Sequence, residues 1–188
     1  MRPRLTATAI LTGVALIVLP LVGAILKLVS AGWILVIVLV SVLFPLLLLI
    51  GYALQVVVAA TGFFSARGPI QSTAVQRRAT IAAWTTSIAW VVACVFLVDG
   101  DDVDEGSTFQ VWFGLRGDGS AADIASNASS VVFLVAALVW LLSYVWLVVE
   151  WSIGWALRRR ARGAAELLRP PAPDDPEGDI ADLFTRAP

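Results

Sequence analysis

The chain has 188 residues, of which 59% are hydrophobic and 14% charged, and its mean hydropathy of +0.87 lies far above the range of soluble proteins. It contains no histidine and one cysteine, Cys94, which excludes an intrachain disulfide, a CxxC redox pair, the usual zinc ligand sets and histidine acid–base chemistry. The net charge of −1 conceals a separation of arginines and acids into different segments. Arginine greatly outnumbers lysine, and alanine and valine are abundant, which we interpret as the composition of a high-GC bacterium.

The first predicted membrane span covers residues 5–29, an apolar run that follows Arg2 and Arg4. A signal peptide has a similar charge pattern, but this run is longer than a typical signal core and no clean cleavage motif follows it. We therefore favour a retained helix over a cleaved one. Pro20 predicts a kink, which a membrane helix tolerates when neighbouring groups satisfy the freed carbonyl. Lys27, near the far end, is expected to extend toward the lipid headgroups.

The second predicted span, residues 33–60, must run antiparallel to the first because residues 30–32 leave room only for a tight turn. Gly51, Gln55 and Ala59 recur at every fourth residue and share one helix face. Small residues at this spacing allow close helix packing in lipid. The pattern therefore predicts that this face points into a helix bundle.

Residues 61–79 form a predicted loop that contains Arg67, Arg77 and Arg78 and no acid. A short loop of this charge is typical of the cytoplasmic side of a membrane. The third span is predicted over residues 80–98, where small and hydroxylated residues along one face favour close packing.

Residues 99–130 are predicted to be an acidic extracytoplasmic loop. Its opening, DGDDVDEG, departs from the calcium-loop pattern because Val103 stands where a ligand is required, so no metal site is predicted. The apolar segment around Trp112 and Phe113 is expected to lie at the outer membrane interface or to pack on the top of the bundle, and these two residues are candidate partner contacts. A capping box at residues 120–123 predicts that a helix begins there and continues into the fourth span.

The fourth predicted span, residues 131–156, has Glu150 as its one ionisable residue and ends beside a block of arginines at residues 158–162. Residues 163–188 are predicted to be a cytoplasmic tail that is partly disordered, because its middle is rich in proline and aspartate. A short amphipathic turn near the end of this tail is a candidate partner contact, formed by Ile180, Leu183 and Phe184.

Together these segments predict an all-α integral membrane protein. Residues 1–162 form a four-helix transmembrane bundle with both termini in the cytoplasm and the acidic loop between helices 3 and 4 outside. The arginine-rich segments all fall on the predicted inner side, in agreement with the positive-inside rule. We expect a multi-pass protein of the inner (plasma) membrane.

Glu150 is the candidate functional residue, because an ionisable side chain within a membrane span is costly and is often functional. At the standard helical rise, Glu150 and Gln55 both lie roughly 12 Å from the middle of their spans toward the cytoplasm. This shared depth predicts a polar layer that includes hydroxyl groups of the third and fourth spans: Thr85, Thr86 and Ser143.

A structural interpretation competes with this polar site, and we favour it. Glu150 lies two helical turns from the arginine block, so it can reach the headgroup region or pair with Arg77 or Arg78. No internal repeat or ion-filter sequence supports transport.

Two functions remain in view. The leading hypothesis is a non-catalytic accessory or scaffold subunit of a cell-envelope complex, with the lipid bilayer and other membrane proteins, or further copies of the chain, as partners. The alternative is a small oligomeric channel or transporter that uses the Glu150–Gln55 layer. No enzyme activity, cofactor, metal or nucleic-acid partner is predicted, because no spacing of reactive side chains supports one.

Overall fold

The computed structural model describes residues 6–30, 43–66, 68–70, 73–100, 105–117 and 119–167. Of these residues, 86% are helical. The elements follow in chain order: α1 (Ala7–Val29), α2 (Leu43–Val58) with a π-helical turn (Ala59–Phe63), α3 (Thr73–Phe96), β1 (Asp99–Gly100), β2 (Glu105–Gly106), α4 (Thr108–Phe113) and α5 (Ser120–Leu167). The two short strands pair antiparallel, Asp99 opposite Gly106 and Gly100 opposite Glu105.

Within the described residues, four helices are long and apolar enough to cross a membrane. The qualifying segments are Ala7–Val29, Leu46–Phe63, Val75–Phe96 and Ser120–Ala164. The prediction of a mostly helical protein with four apolar segments of membrane-spanning length is therefore confirmed. Large apolar side chains along these helices are exposed, as expected of surfaces that meet lipid: examples are Leu11, Leu49, Ile50, Val131 and Leu142.

The chain divides into two units, Met1–Gly154 and Trp155–Pro188. In the second unit the structure describes residues 155–167, which form the last part of α5. The tail segment with Ile180, Leu183 and Phe184 lies outside the described residues, as do residues 31–42, where the second predicted span begins.

Contacts between the helices give their relative directions. Hydrogen bonds join Gln76 to Thr6, Trp84 to Thr12 and Lys27 to Leu97. From one pair to the next, the residue number increases in α1 and also in α3 and the segment after it. Helices α1 and α3 are therefore parallel.

Helices α2 and α5 run the other way. Gln55 contacts Leu16 and Tyr52 contacts Ile17, so α2 is antiparallel to α1. In the same manner, α5 is antiparallel to α3, because Ser143 lies beside Thr86 and Glu150 beside Arg78.

The core is built from small residues. Its buried cluster combines alanines, most of them from α3, with a few large side chains from α1, the π-helical turn, the segment before α3 and α5: Leu16, Phe63, Ile70 and Leu147. Two glycines also permit close contact: a Cβ on Gly13 would lie 2.6 Å from the ring of Phe64, and one on Gly154 would lie 2.7 Å from the carbonyl oxygen of Pro69. Close packing of this kind holds helices together in lipid, where burying apolar surface between helices contributes little free energy because the lipid tails are equally apolar.

Helix α3 begins earlier than the predicted span. It starts at Thr73, so Arg77 and Arg78 lie on a helix and not in the predicted loop at residues 61–79. Residues 73–79 contain good helix formers and no glycine or proline, whereas Gly68 and Pro69 precede them. At the other end of the chain, α5 begins at Ser120, where the capping sequence predicted a helix start.

Pro20 lies inside α1 and organises the contacts around it. Proline has no N–H group, so the carbonyl oxygen of Leu16, four residues earlier, lacks its helical donor. The Gln55 side chain replaces that donor, with 2.9 Å between Nε2 and the Leu16 oxygen. Tyr52 donates to the Ile17 carbonyl at 3.2 Å, and Trp90 donates to the Pro20 carbonyl at 3.0 Å.

We expect Gln55→Leu to destabilise the protein by about 1–3 kcal/mol, because the Leu16 carbonyl would be buried without a donor. In a Pro20→Ala background the restored backbone N–H satisfies the same carbonyl, and the cost of Gln55→Leu should fall. Unfolding in mixed detergent micelles measures both costs. Equal costs in the two backgrounds would contradict this coupling.

Candidate functional site

The five residues of the predicted polar layer take part in separate contacts. Gln55 is 5% exposed and is bonded to α1 at Leu16. Thr86 and Ser143 are brought together, with 3.0 Å between their hydroxyl oxygens, and join α3 to α5. Thr85 lines a groove of about 680 Å³ between α3 and α5 together with apolar residues such as Ile88 and Val135.

Gln55 and Glu150 lie at different levels of the structure. Gln55 contacts Leu16 of α1, whereas Glu150 contacts Arg78 of α3. Residues of α3 and of the segment after it lie beside α1 residues whose numbers are about 70 lower. Arg78 therefore lies near the start of α1, about eight residues or roughly 12 Å from Leu16. The contacts do not reproduce the shared depth that predicted a single polar layer.

Glu150 is a buried carboxylate with two donors. The residue is 6% exposed, and its Oε1 lies 3.1 Å from Arg78 Nε and 3.2 Å from Trp146 Nε1. Its Oε2 lies 3.5 Å from Arg78 Nη2, so the guanidinium faces both carboxylate oxygens. A guanidinium in this position neutralises the carboxylate and supplies hydrogen bonds to it. The structural interpretation of Glu150 named pairing with Arg77 or Arg78, and Arg78 is the residue that pairs.

The early start of α3 makes this pair possible. Because residues 73–79 are helical, Arg78 is held at a fixed position on a helix that packs beside α5. Its side chain remains 55% exposed, so the arginine joins the buried acid to the surface. The neighbouring Arg77 lies instead in a polar recess of about 380 Å³ with Gln76 and Thr6.

A second ion pair lies at the opposite end of the helices and was not predicted. Lys27 Nζ is 3.7 Å from Asp99 Oδ2 and 3.0 Å from the carbonyl oxygen of Leu97, and both charged side chains are 1% exposed. The sequence predicted that Lys27 extends to the headgroups, whereas the fold buries it. The reason is that residues after α3 fold back over the end of α1.

Residues 105–117 form this covering structure, which we call the cap. Its short helix α4 begins with a capping box in which the Ser107 side chain accepts from the Gln110 backbone and the Gln110 side chain accepts from the Ser107 backbone. The pattern Ser-x-x-Gln in the sequence is the signal that would have located this helix.

Hydrogen bonds of hydroxyl and amide groups, together with one aromatic ring contact, attach the cap to three helices. Ser30 at the end of α1 is hydrogen-bonded to Thr108, and the Ser107 and Ser129 hydroxyl oxygens are 3.0 Å apart. The side chain of Gln110 donates to the Ala122 carbonyl at 3.3 Å. On α3, the Phe96 ring stacks with Phe109 at 5.1 Å between centroids. The cap is therefore a packed part of the structure and not a free loop.

The outer side of α4 is apolar and exposed. Trp112 is 57% exposed and Phe113 is 66% exposed, and Val111 beside them is also exposed. These three residues, the cap patch, are exposed on the same short helix that buries Thr108 and Gln110, and the Phe113 ring also contacts the Phe109 ring at 4.6 Å between centroids. The patch contains both cap residues that were predicted to contact a partner.

Among the described residues, no group of three or more histidine, cysteine, aspartate or glutamate side chains is placed to hold a metal ion. The acid-rich residues 101–104 fall outside the described ranges. No protein-family model matches the chain, and neither the curated proteins nor the solved structures contain a match. The site must therefore be interpreted from its own geometry.

We expect Lys27→Met to lower the free energy of unfolding by about 3–5 kcal/mol, the range for removing one member of a buried ion pair, because the buried Asp99 carboxylate would lose its contact with the Lys27 ammonium. The double variant Lys27→Met/Asp99→Asn should recover part of this loss, since the buried negative charge is removed as well. Detergent-induced unfolding followed by circular dichroism measures both. A double variant less stable than Lys27→Met would argue against the pair.

Arg78→Gln should destabilise the protein by about 1–3 kcal/mol, between the values typical of exposed and buried ion pairs, because it leaves the buried Glu150 carboxylate with Trp146 as its donor. Arg77→Gln is the matched control on the same helix, since Arg77 is also exposed but lines the recess with Gln76 and Thr6 and does not face Glu150. Thermal unfolding in detergent compares them. Equal melting temperatures for the two variants would contradict a stabilising role for the pair.

Proposed function

We propose that this chain is a non-catalytic accessory or scaffold subunit of a membrane complex. The main observation in support of the proposal is that polar side chains within the membrane-length helices form contacts between helices. Gln55, Thr86 with Ser143, and Glu150 each join one helix to another. Polar groups used in this way stabilise and orient a helix bundle.

A transport site places different demands on the same residues. Ion or proton pathways need ionisable groups that face a water-filled route and can exchange partners. Glu150 faces a guanidinium and an indole N–H, and Gln55 serves a backbone carbonyl. Release of Gln55 would leave the buried Leu16 carbonyl unsatisfied, and release of Glu150 would deprive its own buried carboxylate of both donors; an unsatisfied buried group costs about 1–3 kcal/mol.

The cap patch is the surface best suited to a protein partner. Exposed tryptophan and phenylalanine side chains are enriched where protein interfaces gain most of their affinity. Trp112 and Phe113 lie on a short helix that is anchored to the bundle by the buried residues Thr108 and Gln110. A rigid patch loses little conformational freedom on binding, which favours affinity.

The proposed orientation places both termini in the cytoplasm and the cap outside, in the inner (plasma) membrane of a bacterium. Support comes from Arg2, Arg4 and the arginines of residues 158–162, which flank the same predicted side. The cap, with its acidic neighbours in residues 99–105, then lies on the outer side, where the patch meets envelope proteins.

The alternative is a small oligomeric channel or transporter. The observation that favours it is the presence of a buried acid, Glu150, within an apolar span. In this case Arg78 would act as a counter-ion that releases the carboxylate when the ion binds.

Affinity purification in mild detergent, followed by native mass spectrometry, distinguishes the two proposals. We expect a stoichiometric membrane partner that is lost in Trp112→Ala/Phe113→Ala, because the substitutions remove the apolar surface of the patch. Leu142→Ala/Val145→Ala is the matched control, since it removes two equally exposed apolar side chains from α5. A homo-oligomer without partner, with ion flux in liposomes that Glu150→Gln abolishes, would overturn the scaffold proposal in favour of the channel.

A further inference from the structure

A crevice of about 320 Å³ lies where α1, α2, α3 and α5 meet. Its wall contains the side chains of Trp90, Trp140 and Tyr144, and its floor includes Pro20 and Gln55. We call this space the aromatic crevice. A volume of this order falls within the range of small-molecule pockets in proteins.

The aromatic wall is held in a fixed arrangement. The rings of Trp90 and Trp140 have centroids 5.1 Å apart, and those of Trp140 and Tyr144 are stacked at 6.1 Å. Trp90 donates its indole N–H to the Pro20 carbonyl, and Tyr144 donates its hydroxyl to the Gly51 carbonyl at 2.9 Å. Because the polar atoms of Trp90 and Tyr144 are bound to the backbone, these side chains present aromatic ring surface to a ligand in the crevice. Ring faces favour a flat conjugated group over a flexible alkyl chain.

Gln55 supplies the polar contact of the crevice. An amide side chain has two N–H donors and a carbonyl acceptor. In the described part of the chain, one of these groups is used, by the bond from Nε2 to the Leu16 oxygen. The other donor and the acceptor remain for a ligand within a floor that is otherwise apolar.

Charge and access restrict the ligand further. The side chains that line the crevice within the described ranges are uncharged, so a phosphate or carboxylate group would enter without a counter-ion, which is costly in an apolar environment. The rim includes the exposed leucines Leu21, Leu47 and Leu141. In a membrane such a rim faces lipid, so the ligand arrives from the bilayer.

We propose that the aromatic crevice binds the ring of a neutral, lipid-soluble molecule of the quinone class. The planar ring lies against Trp140, a ring carbonyl accepts a hydrogen bond from the Gln55 amide, and the alkyl tail leaves past the leucine rim. An acyl chain would leave the amide unsatisfied and gain less from the ring faces. This binding site is independent of the cap patch and adds a ligand to the scaffold role.

Gly51 provides a way to close the crevice. A Cβ built on Gly51 meets a single neighbour, the Tyr144 hydroxyl oxygen at 4.0 Å, which is ordinary van der Waals contact. Gly51→Ala should therefore be tolerated, whereas the longer side chain of Gly51→Leu must occupy the crevice that Gly51 lines. The pair serves as matched control and test. Leu141→Trp at the rim is a second blocking variant should Gly51→Leu fail to fold.

The test uses the full chain in lipid nanodiscs and a benzoquinone with a short alkyl tail that carries a diazirine. After illumination, peptide mass spectrometry locates the label, and unlabelled decylbenzoquinone serves as competitor. We expect labelling of the peptides that contain Trp90 and Trp140, blocked by the competitor. Labelling should fall at least about tenfold in Gly51→Leu or Leu141→Trp, which corresponds to about 1.4 kcal/mol, and should persist in Gly51→Ala.

Two outcomes would overturn the proposal. The first is label spread over the lipid-facing residues with no decrease in the blocking variants. The second is equal labelling of the same peptides by a phospholipid with a diazirine in its acyl chain, undiminished by decylbenzoquinone, which would make the crevice a site for lipid tails. Neither outcome affects the scaffold proposal, since that depends on the cap patch.

Discussion

The arrangement of the helices depends on one missing hydrogen bond. Inside a membrane every backbone polar group needs a protein partner, because water is absent. Pro20 deprives the Leu16 carbonyl of its helical donor, and Gln55 of α2 replaces that donor. Tyr52 and Trp90 bind the carbonyls of Ile17 and Pro20, so that α2 and α3 are both attached to one turn of α1. The aromatic crevice lies beside these contacts and is lined in part by Pro20.

Two ion pairs extend this principle to the ends of the helices. Arg78–Glu150 joins α3 to α5, and Lys27–Asp99 joins the end of α1 to the segment that follows α3. An unpaired charge within an apolar span is energetically costly. When two such charges pair, any shift of one element relative to the other would break the pair, so the pairing fixes their register. Such a structure suits a protein that presents surfaces to others, which agrees with the proposed scaffold role.

The sequence identified most of the chemical requirements but not the contacts that meet them. It predicted that Gly51, Gln55 and Ala59 face inward; Gln55 and Ala59 are buried, and Gly51 is half-buried. It also offered Arg78 among the partners of Glu150. The contacts place Gln55 and Glu150 at different levels, because a depth counted from the predicted middle of each span does not fix how the packed helices are shifted along one another. The capping box at Ser107 was readable in the sequence, but the apolar segment after it was interpreted as an interfacial or bundle-covering segment and not as a helix.

The sequence by itself determined that the described residues hold four apolar segments long enough to span a membrane, because hydropathy over a span reports directly on the cost of transferring it from water to lipid. It also indicated that the carbonyl freed by Pro20 would need an external donor and that Glu150 could pair with an arginine. Only the tertiary structure decided which residues supply them. Lys27 meets Leu97 and Asp99, and Gln55 meets Leu16, across separations that local patterns do not encode. Lys27 is buried where the segment with Leu97 and Asp99 folds back over the end of α1, beside the cap, whose contacts reach three helices.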